Sequence, residues 1–278
     1  MISVLQLGMI DYATGLRLQQ RLVALRKEKR TGDVLLLLEH DSVITLGRNA
    51  KPANVIASAV ELAERHVEVF ECDRGGDVTF HGEGQLVAYP IFDLREMRAA
   101  DGTRKTLGAV EYVRGLEEVL IRTCADFGIA TQRIKGLTGV WTAPTSPLRA
   151  EQDNSPANSI DLPLDQEAKV AAIGVHISRG VTSHGLALNV NTDLSYFNLI
   201  IPCGITSKPV TSMARELGRE VSMQAVANSV SHNFGVVFDL QMLWLEDLES
   251  LLGAPVGIPL KVPAELRQIH KEEDTFWA

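Results

Sequence analysis

The residues best suited to chemistry fall in four separated runs. Ile201-Pro202-Cys203-Gly204-Ile205 puts a thiol on a tight turn. Pro202 fixes the approach to the cysteine, Gly204 frees the exit, and backbone N–H groups at such a turn can hold an oxyanion. Free thiols more often end as inert buried groups, so the turn alone leaves both readings open. Lys169 opens the apolar run Lys169–Ile177. A lysine partly withdrawn from water has a lowered pKa and can serve as a base, although a solvated lysine at a strand end is the commoner case. Arg74-Gly75-Gly76-Asp77-Val78-Thr79-Phe80-His81-Gly82-Glu83-Gly84-Gln85 combines a guanidinium that can pair with phosphate or carboxylate, glycines that let backbone approach a ligand, and a histidine that can move a proton near neutral pH. The same run fits a hairpin with a glycine-rich bulge equally well. Neither the dinucleotide fingerprint nor the Walker phosphate loop matches it. Finally, Ser183-His184-Gly185-Leu186-Ala187-Leu188-Asn189 is a small-residue strand that can line a pocket or pack beneath another element. His184 by itself reads as a structural histidine.

These runs need elements to position them. Helical spacing predicts a helix over Asp11–Arg30 and another over Thr103–Phe127, the latter with Gly128 at its C-terminal cap. Cys124 lies on the apolar face of that second helix. Strands are predicted at Val34–Leu38, Val43–Leu46, Val67–Phe70, Lys169–Ile177 and Leu186–Val190, and Arg74–Tyr89 reads as strand, glycine-rich turn, strand. Ser222–Phe234 reads as a helix with Ser222 as N-cap. Val236–Leu240 suggests a further strand, and the tail from Gln241, with Leu243, Trp244, Leu248 and Leu251, a helix packed on the body. Pro144–Pro163 has little periodicity and reads as a surface loop. Strands and helices are mixed without a regular βαβ rhythm, which favours an α+β fold over a doubly wound parallel sheet.

Composition narrows the function. The chain has 278 residues, 45% hydrophobic and 22% charged, enough for a sizeable core. Its net charge is -8, without a long Lys/Arg run, which argues against a general nucleic-acid partner. Three cysteines, Cys72, Cys124 and Cys203, are too few and odd in number for a disulfide framework. With no secretory signal and no apolar run of membrane-spanning length, they point to a cytoplasmic protein without membrane association.

Taken together, the segments Arg74–Pro90, Lys169–Gly174, His184–Asn189, Asn191–Gly204 and Val210–Met213 resemble the LipB-type octanoyltransferases, which belong to the biotin/lipoate protein ligase superfamily. The resemblance covers Val34 to Leu240. It implies a mixed β-sheet with flanking helices, a catalytic domain at 1–240 carrying a surface insertion at 142–168, and an extension at 241–278 packed on the same domain. It implies an acyltransferase, a lipoyl(octanoyl) transferase, that takes octanoyl from octanoyl-acyl carrier protein. The acceptors would be lysines in lipoyl domains of 2-oxoacid dehydrogenase E2 subunits and in glycine cleavage H protein. Carried over by position, Cys203 is the acyl-thioester nucleophile and Lys169 its acid/base partner. Arg74, Gly75, Gly76, Asp77, Val78, Thr79, Phe80, His81, Ala172, Ile173, Gly174, Gly185, Leu186 and Ala187 line the acyl and pantetheine pocket, which should be apolar. No cofactor, ATP or metal is implied.

Two departures stand out. Glu83 replaces the proline usual in the His-Gly-Pro-Gly motif, adding a charge beside the pocket and relaxing the loop. The stretch Thr142–Ala168 is longer than usual. An acidic donor meeting a chain at -8 calls for a local basic patch, with Arg48, Arg74, Arg179 and Lys208 as candidates. The rival readings are an ATP-dependent lipoate ligase, an octanoyl amidotransferase on the same fold, and a non-catalytic acyl- or lipoyl-domain-binding protein.

Overall fold

The computed structural model describes residues 1–97, 106–143, 167–204 and 208–249. Its frame is an eight-stranded mixed sheet. In chain order the strands of the molecule are β1 (Ile2–Ile10), β2 (Asp33–His40), β3 (Val43–Leu46), β4 (Glu68–Glu71), β5 (Val78–His81), β6 (Gln85–Ile91), β7 (Thr131–Ile134), β8 (Leu137–Thr142), β9 (Lys169–Ser178), β10 (Val181–Asn189) and β11 (Met242–Trp244). The large sheet runs β11-β1-β2-β6-β10-β9-β8-β7, and a second sheet runs β4-β3-β5. Pairing is parallel among β11, β1 and β2 and antiparallel from β2 to β7.

Strand β2 explains the layering. Its Val34, Leu36 and Leu38 belong to one core cluster and Leu35 and Leu37 to another, as the period-two alternation of a strand buried on both faces requires. The first face is covered by α1 (Tyr12–Lys27), whose Leu18 and Leu22 insert there. Asp11 caps α1 by accepting from Thr14 N–H at 2.8 Å. The helices α2 (Ala59–Glu64), α3 (Ala109–Asp126), α4 (Met213–Leu217) and α5 (Met223–Phe238) follow. The opposite face is covered by α3 and α5 through Leu116, Val119, Leu120, Val226, Val230 and Phe234. The small sheet has its own core of Ile44, Val78 and Phe80 with Leu199 and Ile200.

Several sequence expectations meet corrections. Arg74–Tyr89 does contain two strands, yet they form no hairpin: β5 pairs with β3 and β6 with β2 and β10. The chain thus steps from one sheet to the other through Gly82–Gly84. Val236–Leu240 is no strand, because α5 continues to Phe238 and ends at Asp239 in a left-handed cap. Phe238 packs on Tyr112 and Phe234 and occupies the space beside Gly115, so tertiary contact overrides local β propensity. Leu243 and Trp244 lie in β11 beside β1, not in a helix. Gly128 does end α3 as expected, directly after the cap Phe127 and left-handed at φ +80°. The loop expected at 144–163, most of the 142–168 insertion, the helix start at Thr103, and Leu251 with the rest of the extension from 250 lie outside the described residues.

Candidate active site

The sheets leave a cavity between them, on the α1 face of β9 and β10. Small residues create it. Ala172 pairs with Ala187 and Gly174 with Gly185 across the two strands. Directly paired residues share a face, so these four form a shallow floor strip. The Arg74–Asp77 loop lies over it, with Gly75 N–H donating to Val175 O at 3.0 Å. A Cβ at Gly174 would stand 2.7 Å from Gly75 O, so only glycine allows this approach. The cavity has two lobes that meet at Thr79, Ala172 and Ala187.

The narrower lobe, about 300 Å³, is bordered by Lys169, Gln85, Asn189, Phe197, Pro202 and Val210. Lys169 is buried at the first position of β9. Its N–H donates to Pro209 O at 2.8 Å and its carbonyl accepts from Thr211 N–H at 2.9 Å. Its ammonium lies 5.2 Å from the centre of the Trp141 ring, a cation–π placement. Gly139, at φ +118°, makes room: a Cβ there would meet Ala171 O at 2.6 Å and Lys169 Cε at 2.7 Å. Pro202, Cys203 and Gly204 form a single 3-10 turn. Ile201 N–H donates to Asn54 O at 2.7 Å, and Gly204 N–H closes the turn on Ile201 O at 3.1 Å. The side chain of Cys203 lies outside the described atoms.

The wider lobe, about 470 Å³, is bordered by Arg74, Gly75, Gly76, Thr79, His81, Tyr12, Val87, Tyr89, His184 and the small-residue strip. Arg74 is anchored rather than available. Nε and Nη2 donate to Thr45 Oγ1 at 3.0 and 2.9 Å, Nη2 to Thr45 O at 2.6 Å, and Nη1 to Gly75 O at 3.0 Å. His81 bonds through Nδ1 to Gln85 Oε1 at 2.7 Å, and Gln85 Nε2 donates to Asn189 Oδ1 at 2.8 Å. Burial, reinforced by the nearby His40 and Arg74, pushes the His81 pKa down to about 3, so the ring is neutral. His184, with a left-handed backbone at φ +56°, donates from Nε2 to Asp73 Oδ1 at 2.7 Å. His176 reaches the same carboxylate through Nδ1. Burial opposes ionisation of Asp73, yet its bonds to the two histidines hold its pKa below the usual value. Among the described residues no group of three His, Cys, Asp or Glu side chains could hold a metal ion.

With this geometry in hand, comparison with known proteins is decisive. Residues 11–235 match the family model described as the lipoyl protein ligase A/B catalytic domain. Two curated relatives, each named octanoyltransferase, are 54% identical. That of Koribacter versatilis covers 98% of this chain and 98% of its own length; that of Acidobacterium capsulatum covers 90% and 96%. The chain belongs to the octanoyltransferase family. It is therefore an acyltransferase, and its fold is shared with lipoate ligases. Lipoate-protein ligase A bound with ATP superposes at TM-score 0.58 over 91% of this chain and 92% of its own, at 14% identity. A bipartite lipoate protein ligase from Thermoplasma acidophilum, described with its E2 lipoyl domain, gives 0.56 over 97% and 90%, at 14% identity.

For this octanoyltransferase-family chain, the residues singled out from sequence are distributed as follows. Arg74, Gly75, Gly76, Thr79, His81, Ala172, Ile173, Gly174, Gly185, Leu186 and Ala187 border the wider lobe, and Lys169 the narrower. Ile173 and Leu186 do so while packing into the core under α3 and α5. Val78 and Phe80 fall on the other face of β5, in the small sheet's core. Asp77 turns to Asn54 Nδ2 at 2.6 Å and Lys51 N–H at 3.1 Å, behind the Cys203 turn, where a Cβ on Gly204 would stand 3.2 Å from its Oδ2. The wider lobe is mostly apolar in its lining, as expected, with the polar groups of Tyr12, His81 and Tyr89 added at its depth. Glu83 is exposed and borders neither lobe, and its loop is pinned by Gly84 N–H on Glu39 Oε2 at 2.8 Å and by Val190 and Asn191 N–H on Gly84 O. The basic patch does not form from the four candidates: Arg74 is buried on Thr45, Lys208 pairs with Glu167, and Arg179 lies at the far end of the β9–β10 hairpin, leaving Arg48 exposed near the Arg74 loop. Sequence reading did not single out Tyr12, Asp73, Tyr89 or Asn189. Asp73 stands directly before the glycine run and so had a local signal; Tyr12 reaches the cavity only through the packing of α1.

Proposed function

We propose that the chain carries octanoyl from acyl carrier protein to a lysine of lipoyl domains through a thioester on Cys203, with Lys169 moving the protons. The observation that carries this reading is the shared lobe: Lys169, buried against Trp141, and Pro202, adjoining the cysteine, border one space that opens into a longer one. The thiolate of Cys203 attacks the donor's thioester carbonyl, a new C–S bond forms, the bond to the carrier's sulfur breaks, and the leaving thiolate takes its proton from the Lys169 ammonium, which becomes neutral. The ε-amine of the acceptor then attacks the Cys203 thioester. An amide bond forms, the Cys203 thiolate leaves, and neutral Lys169 takes the proton released by the amine. An ammonium beside the thiol favours the thiolate before the first step. Each step passes through an oxyanion, which needs donors other than the Ile201 and Gly204 N–H groups, already given to Asn54 O and Ile201 O. The wider lobe takes the hydrocarbon, at about 0.8 kcal/mol per buried CH₂.

Acceptors in this reading are lipoyl domains of 2-oxoacid dehydrogenase E2 subunits and glycine cleavage H protein, in the cytoplasm. The E2 lipoyl domain named with the Thermoplasma neighbour supports that class. No described helix is long and apolar enough to cross a membrane. The catalytic unit is residues 1–240, the extension following it. The test is to mix the protein with octanoyl-acyl carrier protein and a lipoyl domain without ATP. An octanoylated lipoyl domain should appear by intact mass and be lost with Cys203→Ala. Transfer only with ATP would mean a ligase, and transfer undiminished in Cys203→Ala would remove the thioester route.

A further inference from the structure

The depth of the wider lobe carries polar groups that the transfer steps do not use. Its rim, Gly75, Gly76, Ile173 and Gly174, keeps some exposure, whereas Tyr12, His81, Val87 and Tyr89 at its depth are buried. Tyr89 is satisfied. His40 Nδ1 donates to Ile10 O at 2.9 Å, so its Nε2 is bare and accepts from the Tyr89 hydroxyl at 2.7 Å. The other two are not. The Tyr12 hydroxyl is buried and makes no hydrogen bond among the described residues, with the Cys72 thiol, a weak donor, nearby.

His81 completes the corner. The Gln85 amide nitrogen donates to Phe80 O at 3.2 Å and to Asn189 Oδ1 at 2.8 Å, and Asn189 Nδ2 donates to Thr211 O at 2.9 Å. The Gln85 oxygen therefore faces His81 as an acceptor, Nδ1 carries the proton, and Nε2 keeps a lone pair. The His81 and Tyr12 rings stack at 6.2 Å with planes 10° apart. A buried hydroxyl with no hydrogen-bonding neighbour among the described residues but the Cys72 thiol, and a ring nitrogen left with its lone pair, mark a place where hydrocarbon is disfavoured and water is retained.

We propose that this corner is the stop that sets acyl chain length, with the Tyr12 hydroxyl as its specificity-determining group. The inference rests on the octanoyl-transfer reading, with the carbonyl beside Lys169 and the chain in the wider lobe. A methylene that reaches Tyr12 and His81 strips them of water and leaves them against hydrocarbon. Size and polarity thus act together, where an apolar end would discriminate by size alone.

The test offers octanoyl-, decanoyl- and dodecanoyl-acyl carrier proteins in competition, with a lipoyl domain and no ATP, and reads the product ratio by intact mass. Tyr12→Phe removes one oxygen and keeps the ring contacts. It should raise the decanoyl-to-octanoyl ratio about tenfold. Val87→Thr adds a hydroxyl to the same depth and should lower that ratio. Ratios unchanged in both variants, or moved the same way in both, overturn the stop while wild-type octanoyl transfer leaves the underlying reading intact. A wild type that moves no acyl group from the carrier overturns the reading and the stop together.

Discussion

Arg74 and Lys169 are both cations withdrawn from water at the edge of one cavity, at 7% and 8% exposure, yet they are held differently. Arg74 directs Nε and Nη2 at Thr45 and Nη1 at Gly75 O. It fastens the glycine loop to β3. Lys169 is fixed by its backbone, between Pro209 and Thr211, and its ammonium lies over Trp141 in the lobe of Pro202. Burial of a charge therefore does not identify a proton carrier. The Arg74 head is committed to the scaffold, whereas the Lys169 ammonium lies in the lobe where, in the proposed reaction, the substrate's reacting atoms would sit.

Substitution can break that comparison. Lys169→Ala should lower kcat for octanoyl transfer by about 10²–10⁴-fold with the fold retained by circular dichroism; a loss of less than tenfold would place Lys169 with Arg74 as scaffold. Arg74→Met should act mainly on stability, by about 1–3 kcal/mol in urea denaturation, because Thr45 is left without its partner. A fall in kcat matching that of Lys169→Ala, with unchanged stability, would erase the contrast.

The buried histidine behind Tyr89 sharpens it by pH. Burial lowers the His40 pKa to about 4 from 6.5. The unfolded chain thus binds the extra proton first, so His40's contribution is intact above pH 6.5 and is lost as pH falls towards 4, by about 1.4 kcal/mol per pH unit. Denaturation between pH 7 and pH 5 should show this slope added to a similar one from His81, and His40→Gln should reduce the total by about 1.4 kcal/mol per pH unit; an identical slope in both proteins would count against a neutral buried His40. The smallest effect belongs to Cys124, whose burial raises its pKa to about 12. Cys124→Ala should cost about 1 kcal/mol and leave the transfer rate unchanged in the same assay.

Legibility from sequence followed the range of the forces involved. The β2 run and α3 announce themselves because their burial patterns are local, and Ser222 does cap α5, accepting from Ala225 N–H at 3.2 Å. Val236–Phe238 misled because Phe238 obeys Gly115 on a distant helix, not its neighbours in sequence. Within the site, the alternation along β5 that sends Thr79 and His81 to the cavity and Val78 and Phe80 to the core was available in principle, but the run gave no indication that β5 and β6 serve different sheets. Arg74's commitment to Thr45 and the placement of Tyr12 depend on how the two sheets face each other, which no motif encodes.

The thioester on Cys203 is most directly tested by peptide mapping after brief exposure to octanoyl-acyl carrier protein, without ATP or acceptor. The account predicts a hydroxylamine-labile octanoyl group on the peptide containing Cys203 and on neither Cys72 nor Cys124. Octanoyl on Cys72, or no adduct on a protein that still transfers, would contradict it.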